Sequence, residues 1–317
     1  MKIGKAIALS AATGLLGISL FVAWKTRAVA WELTDPPFYH PQPLERVQKT
    51  YAELAKGDGA DPGGTWHSEN VEELQLWALQ RAQPAKGTVL LLHGFGDDRW
   101  GTSPALRWFP NLNAAIFTYL RRDDALRSGG RTPFVTFGAR ESENIVKIVH
   151  HLEASGTPRS QIILMGRSLG ASVGFLALTK LEAEGSPLGG FIWEGAPASS
   201  RDFGERLVRG GKDRFWHPIL APVIGDLGSR WAAKRGQYQR EDTDLPRAVG
   251  NRRLATPSLC FLATQDRLAP PAVQRALASQ FHQIQVVEVP TWHLHCAEVL
   301  GPDYAKAIQE SVTAWLK

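Results

Sequence analysis

The chain has 317 residues, of which 44% are hydrophobic and 21% charged, a composition typical of globular proteins that excludes disordered and fibrous classes. Its formal net charge is +5, but no basic run is interleaved with aromatic residues, so we expect no nucleic-acid partner. The two cysteines, Cys260 and Cys296, are too few for a disulfide scaffold, and we expect two free thiols rather than a single bridge.

The N-terminal segment Ala6–Trp24 carries no charged residue, and cationic residues flank it on both sides. As a helix it would extend roughly 28 Å, about the thickness of a bilayer core. We therefore predict an uncleaved membrane anchor, with the rest of the chain outside the cytoplasm. A signal peptide is the alternative, because the AVA motif that follows resembles a cleavage site, and cleavage there would give a secreted protein.

Composition divides the chain into three parts. Residues 1–35 comprise the predicted anchor and the start of a spacer, residues 36–70 form a linker and lead-in, and residues 71–317 form the main domain. Within that domain, residues 198–256 are rich in Gly, Arg and Trp and break the regular pattern of elements. We predict that they form a cap-like insertion.

Short apolar runs alternate with amphipathic runs on both sides of this insertion. The apolar runs predict strands at LQLWAL, TVLLLHG, AAIFTYL, QIILM, GGFIWEG, SLCFLAT and IQVVEV. Helices are predicted over residues 142–154, 169–182, 271–281 and 303–316. Because strands alternate with helices, we predict an α/β fold with a doubly wound, mostly parallel sheet.

Ser168 lies in a Gly-x-Ser-x-Gly pattern, directly after a predicted strand and at the start of a predicted helix. A nucleophilic serine in such a turn requires glycines beside it, because side chains there would collide with neighbouring backbone. A serine at a helix start is also a common cap, whose oxygen accepts a backbone hydrogen bond. The functional interpretation requires a base and an acid at other strand ends.

Asp266 follows the predicted strand SLCFLAT and is the candidate acid, while Glu194 at the end of GGFIWEG is a competing carboxylate. The candidate base lies in the loop after the last predicted strand, which contains His293 and His295. One histidine is enough, because a neutral imidazole takes the serine proton while a carboxylate fixes its tautomer. The His-x-His spacing has no matching third ligand, so we predict no metal site, and no motif indicates a cofactor.

The loop HGFG follows another predicted strand and supplies a further part of the candidate site. A tetrahedral intermediate needs two preorganised hydrogen-bond donors. The backbone N–H groups of Phe95 and Leu169 are the candidates for this oxyanion hole. We expect His93 to brace the loop rather than to act as a base.

The order of serine, acid and histidine, with the motifs LLHGFG, GRSLG and ATQDRLAP, resembles the α/β-hydrolase superfamily. Within it, the chain is similar to the serine-aminopeptidase-like hydrolases, which also include esterases and monoacylglycerol-lipase relatives. The resemblance covers Val71 to Lys317. It implies that Ser168 is the nucleophile, Asp266 the acid, and the amides of Phe95 and Leu169 the oxyanion donors.

Two features depart from the family pattern. The sequence PTWHLH stands where relatives have a PGAGH-like turn, and the spacing to the final helix favours His293 over His295. The family's Arg-Gly-His-Gly loop is replaced within FTYLRRDDALRSGGR, so the substrate preference of relatives does not transfer.

We therefore expect a serine hydrolase that cleaves carboxylic esters through an acyl-enzyme. Its partners would be a small-molecule ester or lipid-like substrate and a membrane at the N-terminal segment; Phe215, Trp216 and Trp231 of the insertion favour acyl chains. The same machinery serves a peptidase, a thioesterase or an acyltransferase, and the scaffold also suits a non-catalytic binding protein. No pattern in the sequence indicates an oligomeric state.

Overall fold

The computed structural model describes residues 2–35, 64–99, 101–119, 135–210 and 217–317. It describes side chains from residue 13 onward in the first range and from residue 219 onward in the last. Most of the predicted linker (residues 36–63), most of the loop FTYLRRDDALRSGGR (residues 120–131), Phe215 and Trp216 therefore lie outside the described residues.

The helices and strands predicted from the sequence are present, with ends that differ by a few residues at most. The strands are β1 (Gly64–Val71), β2 (Leu74–Arg81), β3 (Thr88–Leu92), β4 (Asn113–Phe117), β5 (Ile162–Arg167), β6 (Gly190–Glu194), β7 (Ser258–Ala263) and β8 (Ile284–Val289). The helices are α1 (Lys2–Thr34), α2 (Glu141–Ala154), α3 (Leu169–Glu184), α4 (Ser200–Gly210), α5 (His217–Gly236), α6 (Leu245–Val249), α7 (Pro271–Ala278), α8 (Cys296–Leu300) and α9 (Pro302–Trp315).

The strands form one sheet in the order β1-β2-β4-β3-β5-β6-β7-β8. Strand β2 runs antiparallel to both of its neighbours, and the remaining pairs are parallel. The residues of β3, β6 and β7 are all buried, as expected where helices cover both faces of a parallel sheet. The predicted fold class is therefore confirmed.

Strand β1 is not among the elements predicted from the sequence. It pairs with β2 along its whole length, and a two-residue turn with Glu72 at φ 53° joins the two strands. Its sequence GTWHSENV is mostly polar and its residues are exposed or half-buried apart from Val71, so it lacks the apolar run that marks the central strands. Pairing with β2 supplies the backbone partners that this segment needs.

The described part of the insertion between β6 and β7 contains helices α4, α5 and α6, and the second half of α1 packs against it. A Cβ at Gly228 of α5 would lie 2.6 Å from Cγ1 of Val29, so the two helices are in close contact. The guanidinium of Arg235 lies 3.6 Å from the ring centre of Trp31 and also pairs with Asp35. The predicted start of the spacer is thus helical to Thr34 and forms part of the cap.

Among the residues whose side chains the structure describes, no helix is both long and apolar enough to cross a membrane. The predicted anchor Ala6–Trp24, part of which precedes residue 13, therefore gains no support from the structure.

Candidate active site

Ser168 occupies a sharp turn between β5 and α3. Its backbone has φ 52° and ψ −125°, a conformation that residues other than glycine rarely adopt. A Cβ at Gly166 would lie 2.4 Å from the carbonyl oxygen of Gly170, and a Cβ at Gly170 would lie 2.2 Å from that of Leu92. The close approach of backbone segments therefore requires both glycines of the motif.

The side chain of Ser168 makes no capping hydrogen bond to α3, although the residue immediately precedes the helix. Its Oγ lies instead 3.0 Å from Nε2 of His293. The helix-cap interpretation of this serine thus has no support in the structure.

The structure brings His293, and not His295, to the serine. Nδ1 of His293 lies 2.6 Å from Oδ2 of Asp266. His295 is exposed, and its Nδ1 lies 2.7 Å from a carboxylate oxygen of Glu298. Within the described ranges, no group of three or more His, Cys, Asp and Glu side chains is arranged to hold a metal ion.

Asp266 is buried, and its two carboxylate oxygens have different partners. Oδ1 accepts hydrogen bonds from the backbone N–H groups of Leu268 and Ala269, both at 2.8 Å, while Oδ2 contacts His293. A carboxylate fixed in this way favours the tautomer with the proton on Nδ1. Nε2 is then free to accept a proton from Ser168.

Gly195 packs against the imidazole and is not among the residues predicted from the sequence. Its φ is +65°, and a Cβ there would lie 2.9 Å from Cε1 of His293 and 3.4 Å from Oδ2 of Asp266. The only signal in the sequence is a glycine directly after a buried strand. Any larger residue would push the imidazole away from the carboxylate.

Glu194, the alternative carboxylate considered from the sequence, forms hydrogen bonds with residues other than His293. It is fully buried, and its Oε2 accepts a hydrogen bond at 2.9 Å from Nε of Arg167, the residue before the serine. Its Oε1 accepts the backbone N–H of Cys296 at 3.0 Å, and the Tyr304 hydroxyl donates to Oε2 at 3.3 Å. Arg167 is not among the residues predicted from the sequence.

Burial and the charge of Glu194 shift several pKa values around this carboxylate. Both effects raise the pKa of Tyr304 and of Cys296, so the hydroxyl and the thiol stay protonated at neutral pH. Burial is the largest single effect on Arg167 and acts to lower its pKa, but the opposing effects of its surroundings, with Glu194 first among them, together outweigh burial and the pKa is raised. Arg167 therefore stays charged.

The loop after β3 lies against the nucleophile turn. A Cβ at Gly94 would lie 3.5 Å from the carbonyl oxygen of Arg167 and 3.9 Å from Cβ of Ser168. Nε2 of His93 accepts the backbone N–H of Tyr119 at 3.3 Å, and the two ring centres are 4.0 Å apart. His93 is buried and braces this loop, as expected from the sequence.

Phe95 and Leu169, which carry the predicted oxyanion donors, are the immediate neighbours of Gly94 and Ser168 in the chain. In the described part of the chain, neither backbone N–H donates to a backbone carbonyl outside its own helix or strand. The first N–H groups of a helix such as α3 have no intrahelical acceptor. These two amides therefore remain the candidates for the predicted oxyanion hole.

Three phenylalanines form an apolar cluster beside this loop. The ring of Phe95 lies 5.6 Å from that of Phe137 and 5.2 Å from that of Phe203, and the latter two are 5.3 Å apart. Phe137 has φ 52°, in a turn that the buried Glu141 holds by accepting the backbone N–H of Gly138 at 2.9 Å. The cluster joins the cap to the main domain, because Phe203 belongs to α4.

Several solved structures resemble this chain over most of its length. The Pyrococcus furiosus esterase Pf2001 gives a TM-score of 0.60 at 14% identity, covering 89% of this chain and 99% of its own. An esterase/lipase from an uncultured bacterium gives 0.56 at 14% identity, covering 93% and 97%. A Pyrobaculum calidifontis esterase gives 0.56 at 14% identity, covering 86% and 91%. No protein-family model and no curated protein matches the sequence.

At 14% identity, likeness to these structures establishes the fold alone. The chain has the α/β-hydrolase fold that the motifs implied. The function of the site therefore depends on its own residues.

Proposed function

We propose that the protein is a serine hydrolase that cleaves carboxylic esters through an acyl-enzyme. The observation that carries this proposal is the continuous contact from Asp266 through His293 to Ser168, with distances of 2.6 and 3.0 Å. The positive φ of Ser168 adds support, because strained backbone is retained where the surrounding structure enforces it, often at functional sites.

In this mechanism, Oγ of Ser168 attacks the ester carbonyl carbon while Nε2 of His293 takes the hydroxyl proton. Asp266 stabilises the imidazolium, and the amides of Phe95 and Leu169 bind the oxyanion. His293 then gives its proton to the leaving alkoxide, which departs as an alcohol and leaves an acyl-enzyme. Water then attacks the acyl carbon and gives a proton to His293. His293 returns this proton to Oγ of Ser168 as the bond between Oγ and the acyl carbon breaks, and the carboxylic acid is released.

The substrate class proposed is an ester with an apolar acyl group. Its support is the half-buried ring of Phe95, which packs on the buried Phe137 and Phe203 and whose backbone carries one of the proposed oxyanion amides. Trp231, the only described residue of the three insertion aromatics, is 44% exposed on α5. The preference for acyl chains therefore rests on the phenylalanines rather than on the tryptophans.

The test combines a fluorophosphonate probe with p-nitrophenyl esters of increasing acyl length. We expect the full chain to be labelled, and Ser168→Ala to lose both labelling and hydrolysis. Ser172→Ala, one turn later on α3, is the matched control: its Oγ donates to Pro197 O at 2.7 Å, and labelling should persist. Labelling of Ser168→Ala at another residue would contradict the proposal, and folded wild-type protein without labelling would favour a non-catalytic binding protein.

A panel of thioesters, aminoacyl arylamides and esters with added acceptor alcohols separates the alternatives that share this machinery. An esterase prefers the esters with water as acceptor. Faster turnover of thioesters or arylamides would assign a thioesterase or a peptidase, and transfer to the alcohol would assign an acyltransferase.

We also propose that α1 and α5 contact an anionic membrane surface, with the hydrolase domain outside the cytoplasm. Large exposed apolar side chains concentrate on these two adjacent helices, at Leu15, Leu16, Ile18, Leu20, Trp24, Trp31, Ile219, Val223, Leu227 and Trp231. On α5 they recur every four residues and so share one helix face. Lys25, Arg27, Arg230 and Lys234 on the same helices suit anionic headgroups.

Flotation of the full chain with phosphatidylcholine vesicles, with and without phosphatidylglycerol, tests this contact. The double variant L227S/W231S should bind fewer vesicles, whereas V299S, which removes an even more exposed apolar side chain on α8, should bind like wild type. Equal binding by both variants would contradict the proposed face. A reporter fused after Lys317 that is active only outside the cytoplasm tests the location.

A further inference from the structure

An ion pair between a buried carboxylate and a half-buried guanidinium links the turn that carries Ser168 to the loop that carries His293. Arg167 is the last residue of β5 and Glu194 the last residue of β6, and the two are paired in the sheet register. Their side chains meet at 2.9 Å, with Glu194 fully enclosed and Arg167 partly so. The pair therefore lies at the carboxyl edge of the sheet, beside the proposed active site.

Both members of the pair also bond the backbone of the histidine loop. Nη2 of Arg167 donates to the carbonyl oxygen of Leu294, the residue after His293. Oε1 of Glu194 accepts the N–H of Cys296 at 3.0 Å. The loop is thus bound at two points within three residues of the imidazole.

The loop needs such support because its backbone is strained. Leu294 has φ +63°, a conformation that costs free energy for a residue other than glycine and persists where other contacts enforce it. The carbonyl of this residue is the one that Arg167 binds. Without that bond, nothing among the described side chains would hold the Leu294 carbonyl in this direction.

Glu194 also reaches the nucleophile turn through its backbone. Its carbonyl oxygen accepts the N–H of Ser168 at 2.9 Å, while its side chain binds the histidine loop. One residue therefore fixes the backbone at both ends of the contact between Ser168 and His293. The Tyr304 hydroxyl, which donates to Oε2 at 3.3 Å, completes the set of donors around the carboxylate.

We propose that Arg167 and Glu194 are positioning residues that set the orientation of the His293 imidazole between Ser168 and Asp266. This inference rests on the proposed esterase function. A buried ion pair contributes little net stability compared with apolar side chains of the same size, so its presence at this point is better explained by geometry. Misplacing a catalytic group by about 1 Å costs up to roughly 100-fold in rate.

The variants that test this proposal are Arg167→Met, Arg167→Lys and Glu194→Gln, compared with Ser168→Ala. The side-chain changes leave the backbone bond between Glu194 and Ser168 in place. We expect Arg167→Met to lower kcat for a p-nitrophenyl ester by roughly 10- to 100-fold with KM within about twofold of wild type. Arg167→Lys, which keeps the charge but cannot bind Glu194 and Leu294 in the same fork geometry, should recover part of that loss.

The matched control is Arg159→Met, in the turn three residues before β5 begins. Arg159 likewise combines an ion pair, to Glu153 at 2.8 Å, with a bond to a backbone carbonyl, that of Leu181 at 2.9 Å. We expect this variant to lower thermal stability without changing kcat. A positioning role also predicts that Arg167→Met weakens the low-field proton resonance of the His293–Asp266 hydrogen bond, whereas Arg159→Met leaves it unchanged.

The outcomes separate this inference from the proposed function. If Ser168→Ala is inactive while Arg167→Met and Glu194→Gln keep wild-type kcat and the proton resonance, the positioning role is overturned. Equal losses of kcat in Arg167→Met and Arg159→Met would also overturn it, because they would reflect stability alone. If Ser168→Ala retains activity, the proposed function itself fails. Should Arg167→Met not fold, Arg167→Lys and Glu194→Gln decide by the same measurements.

Discussion

Oδ2 of Asp266 lies 2.6 Å from Nδ1 of His293, while Oδ1 of the same carboxylate is bound by two backbone N–H groups. An asparagine at position 266 keeps an oxygen for these N–H groups but presents an amide NH₂ to the imidazole. Asp266→Asn should therefore retain the fold and favour the wrong tautomer of His293. We expect kcat for a p-nitrophenyl ester to fall roughly 10⁴-fold.

Steady-state kinetics with circular dichroism checks this prediction. Asp244→Asn is the control, because Asp244 caps α6 by accepting the backbone N–H of Arg247 at 3.0 Å, and its kcat should stay at the wild-type value. Wild-type turnover by Asp266→Asn would remove Asp266 from the proposed mechanism.

Gly170→Ala should destabilise the protein, because the new Cβ would lie 2.2 Å from the carbonyl oxygen of Leu92. Forcing a methyl group into such a site costs about 1–3 kcal/mol. Urea unfolding measures the loss. Gly17→Ala on α1, where no atom lies within 4 Å of the added Cβ, should leave stability unchanged or raise it by up to about 1 kcal/mol. Equal effects of the two substitutions would be inconsistent with the close backbone contact.

The ion pair between Glu153 and Arg159 should make stability depend on pH in the acid range. Hydrogen bonds from Arg159 lower the pKa of Glu153 below its usual 4.5. Because the folded-state pKa is depressed, the stabilisation is fully present above pH 4.5 and is lost as pH falls through the folded value. A double-mutant cycle of E153Q and R159M should give a coupling of at most about 1 kcal/mol at pH 7. The same cycle near pH 3 should give less, and a coupling that grows with acidity would refute the assignment.

The two thiols should be unreactive in the folded protein. Cys260 and Cys296 are free and buried, and burial together with the charge of Glu194 raises the pKa of both. Since the thiolate is the reactive form, we expect almost no reaction with a disulfide reagent at pH 8, and two modified thiols after unfolding. Rapid reaction of either cysteine in the native protein would contradict the burial of that thiol.

The central strands could be predicted because they are continuous apolar runs. β3, β6 and β7 are buried on both faces, and hydrophobic patterning reports burial directly. Strand β1 could not be predicted in the same way. It lies at the edge of the sheet, where it needs only backbone partners, and its residues are exposed or half-buried apart from Val71. The packing of α1 on the cap could not be predicted from the sequence either, because it depends on small residues such as Gly228 that do not form a periodic pattern.

The sequence by itself indicated the turn around Ser168 through its two glycines. The contact that requires Gly166 is local, with the carbonyl of Gly170, whereas Gly170 is required by the carbonyl of Leu92 in the neighbouring strand. For the partners of that serine the sequence favoured Asp266 and His293 and left Glu194 and His295 as alternatives. The tertiary structure shows which of them meet: Asp266 contacts His293, whereas Glu194 pairs with Arg167 and His295 faces solvent. The reason is physical, because Ser168 and His293 are 125 residues apart, and the order of β5, β6, β7 and β8 in the sheet decides which loops meet.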